Sequence, residues 1–427
     1  MAEQAAGVPQ SERAASSSAG AAPAKHPSGA APVSARDWRL DFWRGLAIVF
    51  IFWNHTVDNV MSWLTTKNFG VSDSAELFVF LSGFAMASMF TGKFLDRPIM
   101  AIPYGVQRAF SLYLHHITAF VVIATLAVLY REYAGSSVME RDLFVRPFLV
   151  ATETVLPKLA TLGYLPPLLD ILPLYIILTL MIGVLFAAFR DRWAFYVGFA
   201  VVVWSWAQIS GATLSSYPDT RLWTFNPFAW QAVFLSGFAA FLARGEAWFR
   251  DLMAAPATIA LSITIVIVAF IAAAPWATLG LYEWRPLRII TDIADKANAS
   301  PVRLAHFLAM AHLASLFVRR ESRLGSTFLG RSMVLIGRQS LPLFVLSTVF
   351  AAASHGVFDW FGHGAAVQIA FSLGGAAILI ALAFATEELR TTKRVSPPRP
   401  SAPRPEPAAA KPQTPTATAP SAVPEAR

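Results

Sequence analysis

The sequence contains no cysteine among its 427 residues, and only 14% of them are charged. The lack of cysteine excludes a cysteine nucleophile, a disulfide framework and thiolate-ligated metal. Signatures of zinc proteases, nucleotide-binding loops and serine hydrolases are also missing, and no histidine pair has metal-ligand spacing. We therefore predict neither a metal ion nor another bound cofactor.

What the chain has in abundance is hydrophobic sequence, which makes up 56% of its residues. About half is usual for a soluble protein. Most charged residues fall outside the apolar runs, so the formal charge of +8 need not indicate nucleic acid. Basic residues that flank apolar runs instead set the orientation of membrane spans. We predict an all-α, polytopic integral membrane protein, with the lipid bilayer and not nucleic acid as a partner.

About ten apolar stretches approach the ~20 residues that a membrane-spanning helix needs. They lie at 41–62, 74–92, 109–130, 168–189, 194–210, 228–243, 256–275, 301–318, 334–353 and 365–386. The stretch 143–163 is amphipathic, and we predict that it lies in the outer interface rather than crossing the membrane. The excess of Lys and Arg in alternate loops predicts that both termini are cytoplasmic.

Composition divides the chain into a membrane core at 36–390 and two tails. Residues 1–35 and 391–427 are rich in Ala, Pro and small polar residues without a helical period, which predicts disorder. No apolar segment follows a charged start at the N-terminus, so we do not expect a signal peptide there.

The stretch from Arg36 to Gly83 has the strongest functional signal. His55 follows Arg44 by eleven positions, which is about three helical turns. The two side chains therefore share a helix face, with His55 about 16 Å deeper. Polar residues at spacings of three and four form one predicted stripe, namely Asn54, His55, Asp58, Asn59 and Ser62. Such a stripe is costly against lipid, so it predicts a functional cavity or a buried structural hydrogen-bond cluster.

Asp73 and Glu76 have the spacing of a capping box at the start of the second span. This pattern favours a structural role for Glu76. Asp73 lies where the predicted polar stripe ends, at the outer mouth of the helix, and is also a candidate for catalysis.

Arg108 and His115 lie two turns apart at the start of the third span and share a face. Arg108 is expected at the cytoplasmic rim. There it either binds phosphates through its planar guanidinium or is an ordinary snorkelling anchor.

Asp170 and Tyr175 lie in a segment that Pro166, Pro167 and Pro173 interrupt. Proline removes backbone donors and stops a regular helix. Irregular backbone at membrane depth is tolerated where protein or water surrounds it, so Asp170 is a candidate site residue.

Asn226, Trp230 and Gln231 begin another span. Tryptophan at this depth is typical of an interfacial anchor. The neighbouring amides also allow a polar, aromatic-lined platform that would suit a sugar.

Ser300 and Pro301 predict the start of a helix. Serine can serve as the N-cap, and proline is common at the first helical position. Arg303 and His306 lie one turn apart just inside this span. A histidine at this depth is a candidate for function in a membrane protein.

Six blocks of sequence occur in order through the membrane core. They are RLDFWRGLAIVFIFWNH, NFGVSDSAELFVFLSG, LPPLLDILPLYIIL, NPFAWQAVFLSG, DKANASPVRLAHF and LIGRQSLPLFVLS. Together they resemble the OpgC family of membrane acyltransferases, over roughly residues 36–390. The related acyltransferase family 3 has an Arg, ten residues and then a His in its first helix, and Arg44 and His55 match that spacing. Its Arg-rich signature in the third helix is only partly present here, as Arg108.

The resemblance implies an O-acyltransferase of the bacterial inner membrane that succinylates osmoregulated periplasmic glucans. It implies an acyl-CoA donor bound from the cytoplasm by Arg39, Arg44, Arg108 and His115. His55 is the implied general base, with Asp58 or another carboxylate fixing its tautomer, and Asp73 and His306 join them in catalysis. The implied residues for the glucan are Asn59, Glu76, Asp170, Tyr175, Asn226, Trp230, Gln231 and Arg303. Arg303 is also a candidate partner for the free carboxylate of a succinyl group.

Other functions fit the same residues. A transporter or flippase of an acyl or glycan carrier also needs polar stripes and broken helices at mid-depth, although we find no convincing internal repeat. An acetyltransferase that acts on another envelope polysaccharide is a further alternative. The choice between direct transfer and a covalent acyl-enzyme stays open.

Overall fold

A computed structural model describes residues 37–218, 220–274 and 287–395 of the chain. These residues form α-helices at α1 Trp38–His55, α2 Ser74–Phe94, α3 Ala101–Ala134, α4 Val138–Asp142, α5 Arg146–Val150, α6 Thr152–Ala160, α7 Ile171–Phe189, α8 Trp193–Ser210, α9 Pro227–Ala243, α10 Ala247–Ala254, α11 Pro256–Ala273, α12 Arg288–Asp292, α13 Pro301–Phe317, α14 Phe328–Arg338, α15 Ser340–Phe361 and α16 Ala365–Val395. Short 3-10 helices lie at Val60–Leu64, Thr66–Asn68, Pro98–Met100 and Arg323–Ser326. Two antiparallel strands, β1 Ser215–Ser216 and β2 Arg221–Leu222, form a small ribbon.

The predicted N-terminal tail at 1–35 lies outside the described residues. So does the predicted C-terminal tail beyond Val395, where α16 ends. The first residues of that tail, from position 391, continue the last helix.

The described residues include seven helices that are long and apolar enough to cross a membrane, in the regions of α2, α3, α7, α8, α11, α15 and α16. The helices α9 and α13 are also apolar but shorter. This confirms a multi-pass, all-α membrane protein. Ten crossings and the cytoplasmic location of both termini remain predictions.

The first predicted span, 41–62, ends earlier than expected. The helix α1 stops at His55, and Asp58 has a positive φ of 47° that no α-helix tolerates. The Asn59 side chain accepts from the Met61 amide and donates to the Trp53 carbonyl. Such local side-chain bonds compete with helical ones, so the single polar stripe predicted for this helix is not formed.

The predicted span 334–353 is also divided. The helix α14 ends at Arg338 and α15 begins at Ser340, with Gln339 between them. Arg338 forms ion pairs with Asp41 and Glu387, which fixes this junction against α1 and α16. The membrane-length helix of this region is therefore α15.

The amphipathic stretch 143–163 forms the short helices α5 and α6. The nine residues of α6 extend about 14 Å at the usual helical rise, less than half of the hydrocarbon thickness. This agrees with the expectation of an interfacial segment.

Glycine lets the helices α2 and α9 approach with their backbones in contact. A Cβ atom at Gly83 would collide with the carbonyl oxygen of Phe234, and one at Gly237 with that of Phe80. Close approach at small residues is how membrane helices gain van der Waals contact where lipid gives no hydrophobic driving force. The helices α1 and α14 cross in the same manner.

The end of α1 and the beginnings of α2, α7, α9 and α13 lie together at one end of the bundle, here called the site end. Ion pairs and hydrogen bonds join the start of α2 to α13 and to the loop before it. Further bonds join that loop to the start of α9. Asp170, at the start of α7, interacts electrostatically with His55 at the end of α1. The site end therefore collects polar side chains that are far apart in the sequence.

Candidate active site

His55 closes α1 and is exposed at the site end. Its Nδ1 atom lies 2.9 Å from the carbonyl oxygen of Ile51. Because a carbonyl oxygen only accepts, the neutral ring carries its proton on Nδ1 and donates it there. The lone pair of Nε2 is then left to take a proton from a substrate. A backbone carbonyl, and not Asp58, thus sets the tautomer.

Asp58 and Asn59 do not join His55 in one polar face. The Asp58 side chain is 71% exposed, and its Oδ2 lies 3.4 Å from Nδ1 of His363. Asn59 is buried, and Ser372 donates a further hydrogen bond to its side-chain oxygen. The turn after α1 therefore uses Asn59 as a structural residue and directs Asp58 toward His363.

Four charged side chains at the site end form what we call the ionic cluster: Asp73, Glu76, Lys296 and Arg303. Asp73 and Glu76 form the predicted capping box of α2, which is confirmed in both of its hydrogen bonds. Arg303 donates from Nε and Nη2 to Oε1 of Glu76 at 2.8 and 2.5 Å. Lys296 Nζ lies 2.7 Å from Oδ2 of Asp73.

The ionic cluster holds Asp73 and Lys296 in their charged forms. Burial by itself would raise the pKa of the Asp73 carboxyl, but the charges of Lys296 and Arg303 outweigh it, and the pKa lies well below its usual range. Burial likewise opposes the charge on Lys296, yet the Asp73 carboxylate raises the Lys296 pKa above its ordinary value. Because the two groups stabilise each other's charge, they form an ion pair at neutral pH.

The segment Asp295–Ser300, which we call the lysine loop, is held through its backbone carbonyls. The indole of Trp230 donates to the carbonyl of Lys296, and the amide of Asn226 donates to that of Ala297. In α8, Gln208 donates to the carbonyl of Asn298 and Trp204 to that of Ala299. Four successive carbonyls are therefore bonded, which fixes the backbone beneath the Lys296 side chain.

The predicted sugar platform at the start of α9 is not formed. Trp230, Asn226 and Gln231 are all buried. Asn226 caps α9 and donates to Asn298 of the lysine loop, and Gln231 donates to a carbonyl of α8. These three residues support the lysine loop and the α8–α9 contact, and the buried Trp230 ring is not open for a sugar to stack on.

Asp170 precedes α7 and lies within electrostatic range of both His55 and Lys296. Its side chain accepts a hydrogen bond from Thr224, in the segment that leads to α9. The structure thus places Asp170 within electrostatic range of His55, whereas the proline-broken backbone had indicated only a candidate site residue.

Tyr175 lies deeper in the bundle, on α7. It is buried, and its hydroxyl accepts a hydrogen bond from Ser82 at 3.3 Å. It interacts electrostatically with Arg44 of α1, which itself donates to the Ser340 hydroxyl at 3.0 Å. Tyr175 therefore belongs to a polar group around Arg44 rather than to the surroundings of His55.

His306 is buried behind the start of α2. Its Nδ1 lies 2.7 Å from the Ser72 hydroxyl, and Gly70 packs directly against its ring. Within the described residues its Nε2 has no hydrogen-bond partner. His306 is close to Arg303 in the fold, but it does not share the exposure of His55.

The predicted donor residues are dispersed. Arg39, at the start of α1, donates to the carbonyl of Val318. Arg108 and His115 lie on α3, which packs chiefly against α7 and α15 rather than α1. His115 bonds to the carbonyl of Ser111 one turn earlier. The structure therefore places Arg39 and Arg44 on one helix with His55, and Arg108 and His115 on another.

Two residues of the site region were not predicted. Lys296 looks like an ordinary solvated loop lysine in the sequence, although it lies in the quoted block DKANASPVRLAHF. His116 is completely buried on α3 and lies close to the backbone of Leu169, just before Asp170. Its neighbour His115 was the predicted residue because helical spacing puts it on one face with Arg108. The local sequence does not show which of the adjacent residues His115 and His116 is buried.

Within the described ranges, no group of three or more His, Asp or Glu side chains is arranged to hold a metal ion. The chemistry available at the site end is that of an imidazole base, carboxylates and ammonium or guanidinium groups.

Comparison with known proteins gives one match. A family model described as OpgC protein matches residues 36–391, a range that contains every candidate site residue. No curated protein and no solved structure matches the chain.

Proposed function

The chain belongs to the OpgC protein family, and on that premise we propose that it is an O-acyltransferase of the bacterial inner membrane. The proposed reaction transfers a succinyl or other short acyl group from acyl-CoA to hydroxyl groups of an osmoregulated periplasmic glucan. Family membership supports a transferase that acts on glucans. The geometry of His55 is the observation that supports the chemistry.

In the proposed reaction, Nε2 of His55 removes the proton from a glucan hydroxyl. The hydroxyl oxygen attacks the carbonyl carbon of the thioester, so that a C–O bond forms and the C–S bond breaks. The proton then passes from His55 to the departing sulfur, which leaves as the free thiol of CoA. The Ile51 carbonyl supports this role, because its bond to Nδ1 keeps Nε2 unprotonated in the neutral ring.

The proposed donor approaches His55 along α1. Arg39 and Arg44 precede His55 on this helix, with Arg44 about 16 Å away at the usual rise. We propose that these guanidinium groups, with Arg108 and His115 on α3, attract the phosphates of CoA. The glucan would then reach His55 from the site end, where Asp73 and Asp170 are the nearby carboxylates.

The test compares glucans from a host that lacks this gene with glucans from the same host complemented by wild type, His55→Ala or His363→Ala. Anion exchange and mass spectrometry report the acyl groups and their charge. We expect wild type and His363→Ala to restore the acylated glucan, and His55→Ala to leave it unmodified at an equal protein level in the membrane. His363→Ala is the matched control, because it removes another exposed imidazole at the site end.

Two outcomes would contradict the proposal. Full restoration by His55→Ala would refute the general base, and unchanged glucans after deletion would refute the glucan as acceptor. Purified protein in detergent separates an enzyme from a transporter. An enzyme acylates glucan when donor and acceptor share one compartment, whereas a flippase produces no acylated glucan there.

A further inference from the structure

Lys296 presents an accessible cation, within electrostatic range of His55, that the proposed reaction does not use. Its side chain is 37% exposed. An ammonium group has three N–H donors. Among the described residues, the Asp73 carboxylate accepts the one hydrogen bond that Lys296 donates from its side chain. The ammonium nitrogen also lies 5.5 Å from the centre of the Phe225 ring, and two of its N–H groups are left to donate hydrogen bonds to a ligand.

The lysine loop holds this ammonium group in a defined place. Four successive carbonyls accept hydrogen bonds from α8 and α9, so the backbone cannot shift without losing several of them. Ala299 is buried in this loop with a φ of 41°, a conformation that L-residues seldom adopt. Strained backbone persists where the surroundings over-determine it, and it is concentrated at ligand sites. An ordinary surface lysine has no comparable support.

Lys67 adds a second positive charge within electrostatic range of Lys296. It lies in the 3-10 helix Thr66–Asn68 after α1, and it is exposed. It interacts electrostatically with Lys296 and with Asp73. The Asp73 carboxylate interacts with both ammonium groups and offsets one of their two positive charges. The positive charge that remains in this group of three favours an anionic ligand.

Arg303, a candidate for this role from the resemblance, is much less accessible than Lys296. Its side chain is only 9% exposed, and two of its five N–H groups are bonded to Glu76. Lys296 is therefore the more open cation for a substrate carboxylate.

We propose that Lys296, with Lys67 beside it, binds the terminal carboxylate of the transferred acyl group and so selects dicarboxylic acyl donors. This proposal rests on the proposed function. Lys296 acts electrostatically on the His55 ring, so the cation and the base belong to one site. A short diacid places its free carboxylate only a few bonds from the carbonyl that reacts. A carboxylate bound at Lys296 therefore keeps the thioester carbonyl near Nε2 of His55.

The test measures kcat/KM of the purified full-length protein with succinyl-CoA and with butyryl-CoA, using neutral glucan as acceptor. Butyryl has the same carbon chain without the charge. We expect Lys296→Met to lower the ratio of succinyl to butyryl transfer roughly 10- to 100-fold, the range for one charge-assisted hydrogen bond. Lys296→Arg should recover part of the ratio, and Lys67→Met should lower it less. Lys93→Met, an exposed lysine at the other end of α2, is the control.

If the ratio of succinyl to butyryl transfer is unchanged in Lys296→Met, the proposal is wrong. It is also wrong if kcat/KM falls equally with both donors, because Lys296 would then have a purely structural role. A second series with already succinylated glucan checks the source of the carboxylate. If Lys296→Met weakens only the binding of this charged acceptor, the anion comes from the glycan and the proposal is wrong. If the wild-type protein acylates glucan with neither donor, the proposed function is refuted, and the proposed selectivity of Lys296 is refuted with it.

Discussion

Replacing Arg303 by methionine tests the ion pair that joins α13 to α2. Glu76 is 1% exposed, and its Oε1 accepts both hydrogen bonds from Arg303. After Arg303→Met the described residues leave this carboxylate one hydrogen bond, from the backbone amide of Asp73 to Oε2. Breaking a buried pair by removing one partner costs about 3–5 kcal/mol. We therefore expect the free energy of unfolding to fall by about that amount.

Denaturant unfolding of the purified protein in detergent measures this loss. Adding Glu76→Gln to Arg303→Met removes the uncompensated charge, so the double variant should regain a substantial part of the stability. Arg288→Met is the control, since its pair with Asp292 in α12 is exposed and such pairs contribute about 0–1 kcal/mol. If Arg303→Met costs no more than Arg288→Met, or if Glu76→Gln gives no recovery, the reasoning from burial is refuted.

Two further predictions concern packing and support of the loop. Gly83→Ala should lower the free energy of unfolding by about 1–3 kcal/mol, because the added methyl group meets the α9 backbone. Gly92→Ala, in the same helix, places its methyl group in open space and should be neutral or slightly stabilising. Equal unfolding midpoints for the two variants would contradict the close approach of α2 and α9. Trp230→Phe removes the indole donor to the Lys296 carbonyl. It should lower the free energy of unfolding by about 1 kcal/mol and raise KM for a dicarboxylic donor. Trp360→Phe, at an exposed position, should change neither quantity. A normal KM for Trp230→Phe would show that the lysine loop does not depend on this bond.

Features that depend on neighbouring residues were predictable from the sequence. The capping box of Asp73 and Glu76 was read from a spacing of three, and both of its bonds are present. The start of α13 at Pro301 also agrees, although Ser300 forms no side-chain cap. The apolar runs predicted a multi-pass helical protein because the length and hydropathy of a span are properties of one segment.

Predictions that extended a local pattern through a break were less successful. The polar stripe assumed that α1 continues to Ser62, but the bonds of Asn59 end the helix near His55. The platform at Trp230 assumed that an aromatic ring near a helix start is open to a ligand. In the structure the ring is fully buried against a loop about 66 positions further along the chain.

The sequence by itself determined the helices, their caps and the presence of His55 eleven positions after Arg44, because these depend on hydropathy and on bonds within a few residues. Only the tertiary structure decided which charges meet. Asp73 pairs with Lys296 and Glu76 with Arg303 across more than two hundred positions, and the lysine loop depends on donors from two other helices. Such partners are selected by the packing of whole helices, which brings one buried carboxylate within reach of one guanidinium and leaves Lys296 open.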